Sequence, residues 1–130
     1  MVRVIMHGCN GRMGQVITEM IAKEAEMEIV AGVDVSDSVH NTYPVFKTLK
    51  DCDVEADVVI DFANAKAVDG LLDVCVERNL PCVLCTTGLS EEQLAHVKEA
   101  SGKVAILRSA NMSMGINLLM KLLKGALLIR

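Results

Sequence analysis

Residues 4–14, VIMHGCNGRMG, decide the fold that this sequence predicts. An apolar run passes directly into the three glycines Gly8, Gly11 and Gly14, and a helical pattern follows at once. We interpret the stretch as a buried strand, a tight glycine turn and the first turn of a helix. The unpaired N–H groups and partial positive charge of a helix start can hold a pyrophosphate, and glycine leaves room for it. The spacing is G-x-x-G-x-x-G rather than G-x-G-x-x-G, so a glycine turn without a ligand stays an alternative.

Asp34 adds a second signal, because it ends another apolar segment and lies 20 residues beyond Gly14. A carboxylate at the end of a second strand can accept both hydroxyls of an adenosine ribose. Val35 follows it, with no Arg or Lys nearby in the sequence to neutralise a ribose 2′-phosphate, which Asp34 would repel. We therefore expect this chain to prefer NADH over NADPH.

The composition excludes several classes of protein. The 130 residues carry a net charge of −4, whereas a nucleic-acid footprint would be basic. No apolar run approaches the roughly 18 residues of a membrane span. The first seven residues read as a strand rather than as a signal peptide. We expect a cytoplasmic domain that binds neither nucleic acid nor a membrane.

The five cysteines are interpreted as reduced thiols. Cys82 and Cys85 match C-x-x-C, but residues three apart in a strand point to opposite faces, and no second pair or histidine cluster completes a metal site. Packing is therefore the favoured role, and we expect no metal. Cys9 lies near a helix N-terminus that could lower the pKa of its thiol, but we expect it to act as a small residue beside the phosphates.

Apolar strands alternate with helical periodicity along the chain. Strands are predicted at 3–7, 28–34, 44–46, 58–62, 82–85 and 104–107, and helices at 11–25, 65–78 and 90–101. This order predicts an α/β fold, a Rossmann-type doubly wound parallel sheet with helices on both faces. Ser90 and Gln93 fit a capping box at the start of the third helix, and Gly102 fits a left-handed C-cap at its end. In the first helix the predicted buried stripe is Met13, Val16, Ile17, Met20 and Ile21.

The last residues differ in character from the rest. Residues 1–114 are interpreted as the nucleotide-binding domain, and 115–130 as the start of a helix too apolar to face water on one side. We expect that helix to pack against protein beyond this chain, in a substrate or oligomerisation domain. Its apolar face also favours a homo-oligomer.

The polar turns at the predicted carboxyl ends of the strands carry a family resemblance. The matching motifs are the glycine turn at 8–14, the pair Asp61-Phe62, Thr86-Thr87-Gly88, and the segment NMSMGIN at 111–117. In this order they resemble the dihydrodipicolinate reductases, also called 4-hydroxy-tetrahydrodipicolinate reductases, over essentially all of the chain. The resemblance implies NAD(P)H-dependent reduction of a small cyclic dicarboxylate in lysine and diaminopimelate biosynthesis.

The resemblance also implies roles for individual residues. The glycine turn would hold the pyrophosphate, Asp34 the adenosine ribose, and the segments after the fifth and sixth strands the nicotinamide. Val35 stands where members that use NADPH well often carry Arg, Asn64 where some carry Arg, and Cys85 where Gly is usual. The implied cofactor-binding residues are Gly8, Cys9, Asn10, Gly11, Arg12, Met13, Asp34, Phe62, Cys85, Thr86, Thr87, Ser109, Ala110, Asn111 and Met112.

No catalytic residue is expected in this chain. The family's second domain carries a His-His…Lys constellation and a Gly-Thr pair, and His7, His40 and His96 match neither. We expect the 130 residues alone to be inactive. Two alternatives stay open: a stand-alone NAD(H)-binding or redox-sensing module, and a domain of another oxidoreductase acting on amino or imino acids.

Overall fold

A computed structural model describes residues 2–36 and 41–108 of the chain. Its strands all run parallel in one sheet, as the alternation of strands and helices predicts. The strands are β1 (Val2–His7), β2 (Met27–Val33), β3 (Val45–Phe46), β4 (Val58–Asp61), β5 (Cys82–Leu84) and β6 (Ile106–Arg108), the α-helices are α1 (Arg12–Ala22), α2 (Val68–Arg78) and α3 (Glu91–Ser101), and Leu49–Asp51 and Ala65–Ala67 are short 3₁₀ helices.

The strand order places the switch point of the sheet beside β1. The order is β3-β2-β1-β4-β5-β6, so the chain winds outward from β1 first in one direction and then in the other. His7 lies opposite Val33 of β2 and Asp61 of β4, which brings the ends of these three strands to one edge. In open α/β sheets ligands bind outside the carboxyl ends of the strands at such a point.

Alternating side chains of the strands build a core on each face of the sheet. Val4 and Met6 pack with Ile17 and Ile21 of α1, whereas Ile5 packs on the other face with side chains of α2 and α3. This alternation is the ordinary period-two pattern of a strand. Helices therefore cover both faces, which confirms the predicted fold class.

Helix α1 is shorter than predicted, because it ends at Ala22 rather than near residue 25. The N–H of Glu24 returns to the carbonyl of Ile21 at 2.9 Å, and the chain then turns into β2. Val16 is 39% exposed, so its place in the predicted buried stripe is wrong. Ile17 and Ile21, four residues apart, define the buried line, and a neighbouring position lies about 100° away around the helix.

The predicted cap of α3 is right at its start and wrong at its end. Gln93 N–H donates to Ser90 Oγ, and Ser90 N–H donates to Gln93 Oε1, both at 3.1 Å, which confirms the capping box. Gly102 has φ −77°, so it is not left-handed. The left-handed cap is Asn79 after α2, with φ 51°, and it lets the N–H of Leu80 return to the carbonyl of Cys75.

The predicted helix at 115–130 and the domain boundary at 114 lie outside the described residues. Across the ranges 2–36 and 41–108, no helix has the length and apolar character needed to cross a membrane.

Candidate functional site

Two of the three glycines in the turn after β1 are required by close backbone contacts. Gly8 has φ +85°, and a Cβ there would lie 2.8 Å from the backbone of Phe62 and Ala63 after β4. A Cβ on Gly14 would lie 2.1 Å from the carbonyl oxygen of Gly8. These glycines therefore allow α1 and the β4 turn to approach the end of β1.

Gly11 differs from the other two glycines. Its Cβ would meet only the carbonyl oxygen of Gly8, at an ordinary 3.5 Å, and its φ of −75° suits any residue. As the N-cap of α1 it supplies no side chain, and the first turn holds no acidic residue. Among the described residues, no group accepts from the N–H groups of Arg12, Met13 and Gly14. The start of α1 thus keeps its donors and its positive dipole end available to an anion.

Asp34 follows β2 and is tied to the glycine turn. Its Oδ2 accepts from the N–H of Asn10 at 3.0 Å, and its Oδ1 accepts from the N–H of Ser36 at 2.9 Å. The Asn10 side chain contacts the same loop, because its Nδ2 donates to the carbonyl of Ser36 and its Oδ1 accepts from Asn41 at 2.7 Å. A carboxylate offers about four acceptor directions, and among the described residues each oxygen of Asp34 accepts one hydrogen bond.

A cavity of about 280 Å³ joins the glycine turn to Asp34 at the carboxyl edge of the sheet. It contains four of the residues expected at a cofactor, namely Gly8, Gly11, Asp34 and Phe62. The cavity has a cation and an anion on its wall, because Lys47 after β3 also lines it. The other lining residues are His7, Val33, Val35, Ala63, Asn64 and Ala67.

The side chain of Cys9 packs into the core rather than into this cavity. It is fully buried in the core beside α1, and its Sγ lies close to Gly32 and Tyr43. Burial, and then the charge of Asp34, raises the pKa of the thiol to about 11. The suggestion that the helix N-terminus lowers this pKa is therefore wrong, because the thiol loses its hydration on burial and lies near the negative charge of Asp34. Arg12 is exposed and Met13 is half-buried, and neither lines the cavity.

The segment after β5 lies one strand further along the same edge. Cys85 is buried, and burial together with the charge of Asp61 raises the pKa of its thiol to about 12. Its core lies on the face opposite that of Cys82, as the spacing predicts. Thr86 is buried and donates its hydroxyl to Asp61, whereas Thr87 is exposed. The cavity contains none of these three, and Ser109, Ala110, Asn111 and Met112 lie outside the described residues.

Sequence reasoning missed two residues of this site. Lys47 directly follows a weak strand that pairs with β2, so its closeness to Asp34 is visible only once β3 is placed beside β2. No sequence motif marks His7 as a site residue, although it ends a strand just before the glycine turn. His7 ends β1 and Lys47 directly follows β3, so both lie at carboxyl ends of strands, the signal that identified the other candidates. Across the described ranges, no group of three or more His, Cys, Asp or Glu side chains could hold a metal ion.

The strand order, the glycine turn and the acidic residue after β2 together define a Rossmann-type NAD(P)-binding domain. The protein family described as Dihydrodipicolinate reductase, N-terminus, matches residues 2–112. The chain belongs to this family.

Relatives with curated names agree with that assignment. The chain is 48% identical over 126 residues to the 4-hydroxy-tetrahydrodipicolinate reductase of Caldanaerobacter subterraneus, with 97% of this chain and 50% of that protein covered. The corresponding protein of Clostridium tetani is 46% identical over 124 residues, covering 95% of this chain and 49% of the relative. The chain thus spans about half the length of the curated relatives it matches.

A solved structure with a similar fold is the dipicolinate-bound dihydrodipicolinate reductase from Paenisporosarcina sp. TG-14. It superposes with a TM-score of 0.76 at 27% identity and covers 94% of this chain and 52% of its own. This similarity extends the family match from sequence to fold.

Proposed function

We propose that this chain binds NADH at the carboxyl edge of its sheet. The pyrophosphate would lie against the start of α1, and the adenosine ribose would donate its hydroxyls to Asp34. The observation that carries the proposal is the uncapped first turn of α1, whose free N–H groups lie beside the cavity that contains Gly11 and Asp34. Such a helix start is suited to a phosphate group, and a carboxylate is suited to a ribose diol.

We further propose that NADH is preferred over NADPH. A ribose 2′-phosphate beside Asp34 would meet like-charge repulsion, and Val35 offers no compensating charge. Lys47 opposes this preference, because it lines the same cavity and has no hydrogen bond or ion pair among the described residues. We propose that Asp34 decides the cofactor preference more strongly than Lys47. Asn10 and Ser36 hold the carboxylate of Asp34 in place, whereas Lys47 is an exposed side chain on a flexible stem. The preference should therefore be modest.

In the whole protein, we propose, the domain serves the reduction of 4-hydroxy-tetrahydrodipicolinate to tetrahydrodipicolinate in lysine and diaminopimelate biosynthesis. The nicotinamide would supply the hydride, and this chain's residues would hold and orient the cofactor. The support is the family and the names of the relatives. Residues that grip and protonate the dicarboxylate would lie in a further domain, so residues 1–130 alone should be inactive. A cytoplasmic homo-oligomer is part of the same proposal.

The residues at the glycine turn and Asp34 fit a dinucleotide cofactor. Calorimetric titration of the chain with NADH and with NADPH tests whether such a cofactor binds. The matched variants are Gly11→Ala, which places a methyl group at the cavity wall, and Gly70→Ala, whose Cβ would meet nothing within 4 Å. We expect NADH to bind the chain and the Gly70→Ala variant alike. Gly11→Ala should bind at least about tenfold more weakly, a loss of about 1.4 kcal/mol.

Far-ultraviolet circular dichroism of each variant is the control, because it separates a lost fold from a lost site. If the folded chain binds neither cofactor, the proposal is wrong. If Gly11→Ala and Gly70→Ala bind equally well, NADH does not lie against the start of α1.

A further inference from the structure

A buried histidine–carboxylate pair lies at the base of the proposed dinucleotide site. His7 ends β1 and Asp61 ends β4, and the two residues lie opposite each other in the register of the sheet. His7 Nδ1 and Asp61 Oδ1 are 2.7 Å apart, and the exposed fractions of the two side chains are 6% and 0%. A pair this deeply buried is costly unless it is well hydrogen-bonded, so its partners are informative.

The carboxylate of Asp61 has two further hydrogen-bond partners besides His7. The hydroxyl of Thr86 donates to its Oδ2, and the N–H of Ala63 donates to its Oδ1 at 3.1 Å. An ionised carboxylate only accepts hydrogen bonds, so Nδ1 of His7 is assigned the proton in this pair. The network joins the ends of three neighbouring strands, and it fixes the orientation of the imidazole.

The other ring nitrogen of His7 is available at the cavity. Nε2 has no hydrogen-bond partner among the described residues. Every solvent-inaccessible side-chain nitrogen or oxygen within those residues has a partner, so Nε2 is not sealed in the core. His7 lines the cavity next to Gly8 and Gly11, where the proposed function places the pyrophosphate. With Nδ1 bonded to Asp61, Nε2 is the ring nitrogen left for a ligand in this cavity.

We propose that His7 takes up a proton at Nε2 when a diphosphate group binds at the glycine turn, so that dinucleotide affinity rises as pH falls. With Nδ1 donating to Asp61, a neutral ring presents a lone pair to the phosphate oxygens, which repel it. A protonated ring donates to Asp61 through Nδ1 and to the diphosphate through Nε2, and hydrogen bonds to charged groups are the stronger kind. This inference rests on the proposed function and extends it to the protonation of the site.

Other charged or ionisable groups also lie around the cavity that His7 lines. Asp34 after β2 and Lys47 after β3 line the same cavity, and Arg12 begins α1. Carboxylates, lysine and arginine ordinarily keep their charge between about pH 6 and about pH 8. The thiols of Cys9 and Cys85 stay protonated there, since burial raises their pKa values to about 11 and about 12.

The experiment is calorimetric titration of the chain with NADH at about pH 6 and about pH 8. At about pH 7 the titration is repeated in two buffers with different ionisation enthalpies, which counts the protons exchanged on binding. NADH itself has no group that titrates in this interval. We expect about tenfold weaker binding at the higher pH and net uptake of about half a proton or more at about pH 7.

Two variants assign the proton. His7→Gln keeps a polar side chain but cannot be charged, so its affinity should change little with pH and its proton uptake should be close to zero. His96→Gln removes a histidine on α3, away from the cavity, and should behave like the unmodified chain.

Proton uptake is measured first on the unmodified chain, so the test does not depend on whether either variant folds. Binding with no proton uptake would overturn the inference while leaving the proposed function intact, as would full uptake by His7→Gln. Failure of NADH to bind at either pH would refute the proposed function, and the inference would fall with it.

Discussion

Replacement of Gly14 by alanine tests whether the glycine turn is required by packing. The new Cβ would lie 2.1 Å from the carbonyl oxygen of Gly8 and 2.8 Å from the backbone of Cys9. Even a close C···O contact is about 3.3 Å, so α1 would have to move by about 1 Å away from the end of β1. Both opposing groups belong to the backbone, so no side chain can turn aside to relieve the overlap.

The expected cost follows from two opposing effects. Overpacking a well-filled region typically costs about 1–3 kcal/mol and occasionally more, and rigid backbone on both sides places Gly14→Ala at the upper end. Alanine inside a helix recovers about 1 kcal/mol over glycine. We therefore expect a net loss of about 2 kcal/mol or more in the free energy of unfolding. For a domain of this size the melting temperature should fall by about 8 °C or more.

Gly11→Ala is the matched control, because it makes the same chemical change three residues earlier. Its Cβ would lie at an ordinary 3.5 Å from its nearest neighbour, and its backbone conformation suits alanine. Glycine is a better N-cap than alanine, which limits the expected loss to about 1 kcal/mol. Two variants that differ only in position should thus differ clearly in stability.

The assay is urea unfolding followed by far-ultraviolet circular dichroism, since the chain contains no tryptophan. We expect Gly14→Ala to unfold at clearly lower urea than Gly11→Ala, with the unmodified chain the most stable. If Gly14→Ala is as stable as the unmodified chain, or if Gly11→Ala is the less stable variant, the close approach of α1 to β1 does not set the requirement for glycine.

Three further predictions use the charges and thiols of the described residues. Lys47→Gln should weaken NADPH binding about fivefold with little effect on NADH binding, because one screened charge pair is worth about 1 kcal/mol. The control Lys50→Gln should change the affinity for neither cofactor in the same calorimetric titration. His96→Gln should lower the free energy of unfolding by at most about 1 kcal/mol at about pH 6 and by less at about pH 8.5. Hydrogen bonds to two carboxylates of α2, Asp69 and Asp73, raise the pKa of His96. The contribution of His96 to stability is therefore complete below about pH 6.5 and is lost as pH rises through the raised pKa. The five cysteines are all buried, and the thiol pKa is about 11 for Cys9 and about 12 for Cys85. A thiol reagent at neutral pH should therefore react slowly with the native chain and quickly with the chain unfolded in urea. Fast labelling of the native chain would contradict this packing.

The fold class was predictable because local patterns carry it. Apolar runs that alternate with helical periodicity require a parallel sheet covered by helices, and the glycine turn marks where the first strand passes into α1. The capping box at Ser90 was equally local, since its bonds join residues three apart. The cap at Gly102 was wrong for a related reason: glycine permits a left-handed turn without requiring one, and Asn79 adopted that conformation instead.

The site residues likewise divide into those that local sequence patterns identified and those whose side-chain packing they could not show. Sequence alone placed Gly8 and Asp34 at the ends of the first two strands, because each follows an apolar run directly, and Gly11 is part of the same glycine turn as Gly8. The packing of Cys82 and Cys85 on opposite faces followed from their spacing, whereas the inward turn of Cys9 depends on side-chain burial that local spacing does not reveal. Of two other residues expected at the cofactor, Phe62 lines the cavity, whereas Thr86 donates its hydroxyl to Asp61 and does not line the cavity.

The amino-acid sequence by itself determined the order and type of the main elements, the glycine turn and the family resemblance, since these depend on neighbouring residues or on motif order. Only the tertiary structure decided that Lys47 joins Asp34 at one cavity and that His7 pairs with Asp61. His7 and Asp61 are 54 residues apart in the chain, and their contact follows from the pairing of β1 with β4. Parallel strands bring distant strand ends to one edge, and the register of that pairing is set by the packing of the whole sheet.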